Sequence, residues 1–294
     1  MQALRVNHLS DDLSGVVLED APAPVRASGE VLVRVRAASL NFPDLLMTQG
    51  KYQFKPEPPF TSGLEFAGDV IEADADSGYA PGDRVMGGNK TGAFAEMVSV
   101  PTRALSPAPD ITDAQAAAMG AAYTTGYTGL VELCGLKPDQ WVLVTGASGG
   151  VGLAACDLAK ALGAKVIAAT GSGTKHEAIL RACPAIDEVI VSEGRFREAV
   201  SEITGGMLCD VVFDVVGGDV FDECTRCVAF AGKLVVVGFT SGRIADIATN
   251  IPLIKGFSVV GLRAGEYARR LPERGAAISA AVHDLANAGK ITPS

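Results

Sequence analysis

Trp141-Val142-Leu143-Val144-Thr145-Gly146-Ala147-Ser148-Gly149-Gly150-Val151-Gly152 is the stretch on which the reading of this chain turns. An apolar run fit for a buried strand leads straight into glycines, and residues 151–162, closed by Gly163, carry an apolar helical pattern. Aligned on Gly149 and Gly152, the turn matches G-x-G-x-x-G with Ala147 in the first position. Glycine at such places permits a tight turn, brings a pyrophosphate close to main-chain N–H groups and lets helix and sheet approach. The glycines alone are a weak signal, and a glycine-rich turn without ligand is the competing reading. Here the strand before, the helix after and a second strand at residues 165–170 all fall where a dinucleotide site needs them.

Working outward, residues 175–182, 196–203 and 221–229 read as helices, and residues 187–192, 209–217, 233–239 and 258–262 as strands. Near-continuous Val/Ile runs suit a parallel sheet covered on both faces, so this part is expected to be a doubly wound α/β sheet. Before about residue 120 the pattern differs. Residues 31–37 (VLVRVRA) alternate apolar with polar, and residues 65–72, 83–86 and 93–100 are further short strands between Gly and Pro turns. An antiparallel, barrel-like domain fits them. Residues 113–118 are expected to start a helix and residues 124–134 to form a second. The expected domains are residues 1–119, residues 120–262, and residues 263–294 returning to the first.

At the end of the second strand an NAD enzyme places Asp or Glu against the ribose 2′-hydroxyl. This chain reads Ala169-Thr170-Gly171-Ser172-Gly173-Thr174-Lys175, with no carboxylate to repel a 2′-phosphate and with Ser172, Thr174 and Lys175 able to donate to one. NADP(H) is therefore expected over NAD(H), against the alternative of an ordinary polar turn.

Composition excludes other classes. The 294 residues carry a net charge of −9, and the densest basic stretch, residues 263–274, also holds Glu266 and Glu273, so nucleic acid is not an expected partner. The most apolar stretch, residues 151–170, contains Asp157, Lys160 and Lys165, and no run reaches the ~18 residues of a membrane span. The start, MQALRVNHLS, lacks a signal-peptide pattern, so a soluble cytosolic protein is expected. Six cysteines in a chain of this length read as free thiols. Cys224 and Cys227 have no second pair for zinc and read as two same-face helix positions, with a redox pair as the alternative.

With these residues in view, the chain resembles the zinc-independent medium-chain dehydrogenases/reductases of the quinone oxidoreductase family. The resemblance spans almost the whole sequence. It is carried by Ser39-Leu40-Asn41-Phe42-Pro43-Asp44, Gln49-Gly50-Lys51-Tyr52, Pro58-Pro59-Phe60, Gly63-Leu64-Glu65-Phe66-Ala67-Gly68, Gly82-Asp83-Arg84-Val85, Ala122-Tyr123-Thr124-Thr125-Gly126-Tyr127 and the glycine turn. It implies a GroES-like catalytic domain followed by a Rossmann domain. Zinc-dependent relatives carry a Cys within the Asn41–Asp44 stretch and a His just before the glutamate; here Leu64 precedes Glu65, and no four-cysteine lobe is present. Without those ligands the Lewis acid that would polarise an alcohol is missing, and no metal is expected.

What remains is hydride transfer to an acceptor that needs little polarisation, a quinone or an α,β-unsaturated carbonyl. The resemblance implies that Asn41 lies near the nicotinamide ribose and carboxamide, Thr124 or Thr128 near the phosphates, and Val216-Gly217 and Gly238-Phe239 beside the cofactor. With Ala147, Ser148, Gly149, Gly150, Val151, Gly152, Thr170, Ser172 and Lys175 these make up the expected cofactor site. Tyr52 stands where related enoyl-thioester reductases keep a proton-donating Tyr, and three readings stay open for it: cleft wall, proton donor or packing residue. Asp44 and Glu65 read as supporting carboxylates. Two alternatives remain beside a quinone or enone reductase. An enoyl-thioester reductase predicts loss of activity in Tyr52→Phe and a preference for acyl-CoA, whereas a non-catalytic NADPH-binding protein predicts tight binding without turnover. A homodimer is expected through residues 258–262, and family members continue beyond Ser294, so a returning strand is expected to be missing.

Overall fold

The computed structural model describes residues 1–294 except Glu193, and the chain divides into two units, Met1–Gly120 with Pro293, and Ala121–Thr292 with Ser294. In the first unit, strands β1 (Gln2–Val6), β2 (Val16–Asp20) and β4 (Phe60–Thr61) pair antiparallel in the order β2-β1-β4. A second, curled antiparallel sheet has the order β7-β3-β5-β6-β8, from β3 (Glu30–Ser39), β5 (Glu65–Glu72), β6 (Arg84–Gly88), β7 (Met97–Pro101) and β8 (Leu105–Pro107). The alternation in β3 has the expected effect: Val31 and Val33 point into a core with Phe66, Val70, Val85, Val98 and Val100. Helix α1 (Phe42–Thr48) starts directly after β3, with Pro43 in its first turn, where a missing N–H costs nothing. The strand expected over residues 93–100 shortens to β7, because residues 93–96 leave the ladder apart from one bridge between Ala3 and Ala95.

The unit boundary falls within α2 (Asp113–Tyr127), after Gly120. Two helices were expected here, but one continuous helix runs on into a π-helical segment, Thr128–Leu133. An internal Gly costs about 1 kcal/mol against Ala, which the surrounding Ala-rich sequence absorbs. Lys233 Nζ caps the far end by donating to the carbonyls of Leu133 and Cys134, each at 3.0 Å.

The second unit is built on six parallel strands, β9 (Trp141–Val144), β10 (Lys165–Thr170), β11 (Glu188–Val191), β12 (Cys209–Asp214), β13 (Val228–Val236) and β14 (Ser258–Gly261), in the order β11-β10-β9-β12-β13-β14. Read from β9 this is the 3-2-1-4-5-6 order of a doubly wound sheet, with its reversal between β9 and β12. Helices α3 (Gly150–Ala161), α4 (His176–Ala182), α5 (Arg197–Ile203), α6 (Gly218–Cys224) and α7 (Asn250–Lys255) connect the strands. Leu143, Ile167, Val212 and Leu234 lie fully buried in the core of this sheet, each contributing about 1.5–3 kcal/mol by leaving water.

Three expectations change here. Helix α6 ends at Cys224, so Cys227 sits in the following turn, donating its backbone N–H to Cys224 O at 2.9 Å, rather than on the same helix. Strand β13 starts at Val228 and stops at Val236, which leaves Gly238 and Phe239 beyond it. Helices α8 (Ala264–Arg270) and α9 (Pro272–Asn287), in the segment expected to return to the first unit, belong to the second. Tyr267 Oη donates to Glu132 Oε2 at 3.0 Å, Arg274 meets the same oxygen at 3.2 Å, and α9 buries Ile278, Val282 and Ala286. Among the described residues no helix is long and apolar enough to cross a membrane.

Candidate functional site: a dinucleotide cradle and a buried amide–carboxylate network

Ligands of open α/β sheets bind beyond the carboxyl ends of the strands, where the strand order reverses. That place lies between β9 and β12, and the glycine turn occupies it. Gly146 has φ +59°, and a Cβ there would stand 2.5 Å from Val215 Cγ2; a Cβ on Gly152 would stand 2.4 Å from Gly146 O and 2.8 Å from Ala147 Cα. Both positions therefore demand glycine, one for conformation and the other for the close approach of helix to turn. Around Gly150, by contrast, there is open space. The N–H groups of Gly150, Val151 and Gly152 form the first turn of α3, where no intrahelical acceptor exists, and no acidic side chain sits in that turn. A cradle of main-chain donors at a helix N-terminus, free of negative charge, fits a pyrophosphate.

Some of the other expected cofactor residues of this unit lie on segments in contact with one another. Ala147 N donates to Ala169 O at 3.0 Å, joining the turn to the end of β10. Gly217, with φ +70°, would carry its Cβ 2.8 Å from Phe239 Cδ1, and Ser241 N donates to Val216 O at 3.0 Å, so the segments after β12 and β13 lie together. Ser172 and Thr174 share a hydroxyl contact at 2.9 Å, and the exposed Lys175 follows them at the start of α4. Thr170 is fully buried, and its hydroxyl has no partner among the described residues. Thr128 is buried as well and donates its hydroxyl to Thr124 O at 2.6 Å, so this group serves the helix; Thr124 is half-buried.

In the first unit the register of β3 on β5 sets Ser39 opposite Glu65. Glu65 Oε1 accepts from Ser39 Oγ at 2.6 Å and from Asn41 Nδ2 at 2.8 Å, while Nδ2 also lies 3.2 Å from Ser39 Oγ. The Nδ2 group of Asn41 is thus directed at this pair, which fixes which way the amide faces. Asp44 accepts from Asn41 N at 2.8 Å. Burial, opposed by backbone donors but reinforced by the charge of Glu65, pushes the Asp44 carboxyl up to about 6. Tyr52 packs half-buried against Val6, Met47 and Phe60, and its hydroxyl makes no hydrogen bond among the described residues.

The second half of the chain, residues 150–280, matches the family described as zinc-binding dehydrogenases, and residues 27–110 match the GroES-like domain of alcohol dehydrogenases. Quinone oxidoreductase-like protein 2 of Mus musculus is 40% identical over 255 residues, covering 85% of this chain and 72% of its own length. The chain belongs to the zinc-independent quinone oxidoreductase family. Among solved structures, a protein of Mycobacterium abscessus described as a probable oxidoreductase superposes with a TM-score of 0.90 at 36% identity, covering 99% of this chain and 88% of its own. Escherichia coli quinone oxidoreductase in complex with NADPH superposes at 0.85 with 29% identity, covering 99% and 89%. In the first unit of this quinone oxidoreductase relative, no Cys lies within the Asn41–Asp44 stretch, and Leu64 stands immediately before Glu65. Among the described residues no group of three or more His, Cys, Asp or Glu side chains could hold a metal ion.

Two features of this quinone oxidoreductase relative were not read from its sequence. One is the Ser39–Asn41–Glu65 network, which joins residues 24 and 26 positions apart and needs the strand register to appear. The other is a buried pair, Thr145 and Asp214. A signal for it was present, since a carboxylate ending the apolar strand Cys209–Asp214 must find donors.

Proposed function

We propose that the chain is an NADPH-dependent reductase that delivers hydride to quinones or α,β-unsaturated carbonyls. The observation that carries this reading is the main-chain donor cradle at the strand-order reversal, with no carboxylate from Thr170 to Lys175. The cofactor supplies the hydride when bound. Gly150, Val151 and Gly152 hold the pyrophosphate through their N–H groups, and Ser172, Thr174 and Lys175 receive the 2′-phosphate. Val216, Gly217, Gly238 and Phe239 line the nicotinamide end, and Asn41, its amide held by Glu65 and Ser39, orients the ribose and carboxamide. Conjugation delocalises the charge that reaches the acceptor, so a neutral environment suffices.

A second reading, an enoyl-thioester reductase, is favoured by Tyr52, whose hydroxyl has no hydrogen-bond partner among the described residues and could donate a proton. The protein is further proposed to act in the cytosol as a homodimer. The support is β14, an edge strand paired on one side only, with Phe230, Leu253 and Ile254 as exposed apolar residues of the same unit.

One experiment tests these readings. A sample whose mass is taken by light scattering is titrated with NADPH and NADH by fluorescence, then given 1,4-benzoquinone, an enone and an enoyl-CoA. NADPH is expected to bind at least about tenfold tighter than NADH, and Lys175→Ala to erase that margin. Oxidation by quinone or enone supports the first reading, and preference for enoyl-CoA supports the second. Tight binding without turnover by any acceptor refutes both, and a monomer at micromolar concentration refutes the dimer.

A further inference from the structure

We infer that Asp214 and Thr145 are positioning residues that clamp together the two turns on which the dinucleotide rests, and thereby set affinity for its nicotinamide half. The inference rests on the cofactor reading above. Asp214 is the last residue of β12, and its side chain is fully shielded from solvent. Its Oδ1 accepts from Thr145 Oγ1 at 2.5 Å and from Val216 N at 3.0 Å, and its Oδ2 accepts from Gly217 N at 3.1 Å. Thr145 Oγ1 in turn accepts from Val215 N at 3.2 Å. Three consecutive backbone N–H groups, Val215 to Gly217, therefore end on this one side-chain pair.

Thr145 is the residue immediately before Gly146, so the pair joins the turn after β12 to the glycine turn after β9. The two turns also touch, because Gly146 leaves only the room of a hydrogen between itself and Val215 and Val216. A displacement of either is passed to the other, since close-packed atoms transmit strain. Burying a carboxylate is unfavourable, and burial does push Asp214 above the ordinary carboxylate range, opposed by the donors from Thr145, Val216 and Gly217. A sheet that needed only cohesion here is served as well by two apolar residues. A carboxylate that gathers donors from both turns fixes their relative geometry instead.

The test uses the full chain in four forms: wild type, Asp214→Asn, Thr145→Val and Thr145→Ser. Asp214→Asn turns one acceptor into a donor facing an N–H; Thr145→Val removes the hydroxyl at nearly constant shape, and Thr145→Ser keeps it. Each form is titrated with NADPH and with adenosine 2′,5′-bisphosphate, which carries the 2′-phosphate half but no nicotinamide. Asp214→Asn and Thr145→Val are expected to weaken NADPH about tenfold, the worth of one buried charge-assisted hydrogen bond, with Thr145→Ser within about twofold of wild type. Binding of adenosine 2′,5′-bisphosphate is expected to stay within about twofold in all forms, which a general loosening of the fold would not allow. If both ligands weaken in parallel, or NADPH affinity does not change in the variants, the inference is overturned while the cofactor reading stands. Should wild type bind neither ligand, the cofactor reading falls and takes the inference with it. Should Asp214→Asn fail to fold, the contrast between Thr145→Val and Thr145→Ser decides by itself.

Discussion

The two units of this chain build their candidate sites from different material. In the second, the cradle after β9 is main chain: N–H groups at a helix start, shaped by Gly146 and Gly152, whose contribution is to have no side chain. In the first, the network of Ser39, Asn41 and Glu65 is side chain throughout, and each atom depends on its partner's identity. The difference predicts opposite sensitivities. A main-chain site fails when an atom is added, whereas a side-chain network fails when one is taken away.

The largest expected effect follows from adding an atom. Gly152→Ala puts a Cβ within 2.4 Å of Gly146 O, a backbone atom that cannot swing aside. NADPH affinity in a fluorescence titration is expected to fall roughly 100-fold, and a loss under about threefold would break the claim that the turn tolerates no side chain. Taking an atom away comes next. Glu65→Ala leaves the Asn41 amide and the Ser39 hydroxyl without their acceptor and frees the amide to rotate. Turnover is expected to drop about tenfold, with NADPH affinity within about threefold of wild type, since the effect falls on orientation rather than on phosphate binding. Equal losses in both would show that the two sites are not built independently.

The smallest effect sharpens the comparison through pH. The Asp44 carboxyl is raised by burial to about 6 from an ordinary 3.8, so folding favours its protonated form. Its stabilising contribution is fully present below pH 3.8 and is lost as pH rises through about 6. Denaturant midpoints measured between pH 4 and pH 8 are expected to fall less steeply across that window in Asp44→Asn than in wild type. Parallel profiles would mean that Asp44 titrates as an ordinary surface carboxylate.

The same contrast explains what could be read from sequence. Strands at residues 65–72 and 165–170 emerge with the bounds expected, the first set off by the turn residues on either side of it and the second as a continuous apolar run. The glycine turn was legible because backbone geometry demands one residue type at fixed spacing. The two expected helices around Gly120 fused into one, since a single glycine in an Ala-rich run is too weak a stop. Glu65 was visible as a carboxylate but not as the partner of Asn41, and Asp214 was passed over inside an apolar strand. Both roles arise from strand register, β3 on β5 and β9 on β12, which no local pattern contains. Thr128 was legible as a candidate ligand, but not as a donor to the carbonyl of Thr124 in its own helix.

All six cysteines are buried. Burial pushes the thiols of Cys134 and Cys183 up to about 11 and that of Cys227 to about 12, and holds Cys156, Cys209 and Cys224 well above their ordinary value. Quinones and enones alkylate thiolates, and a thiol kept protonated and out of reach is a poor target for them. A protein proposed to meet such electrophiles at every turnover thus carries its sulfur where its own substrates cannot poison it.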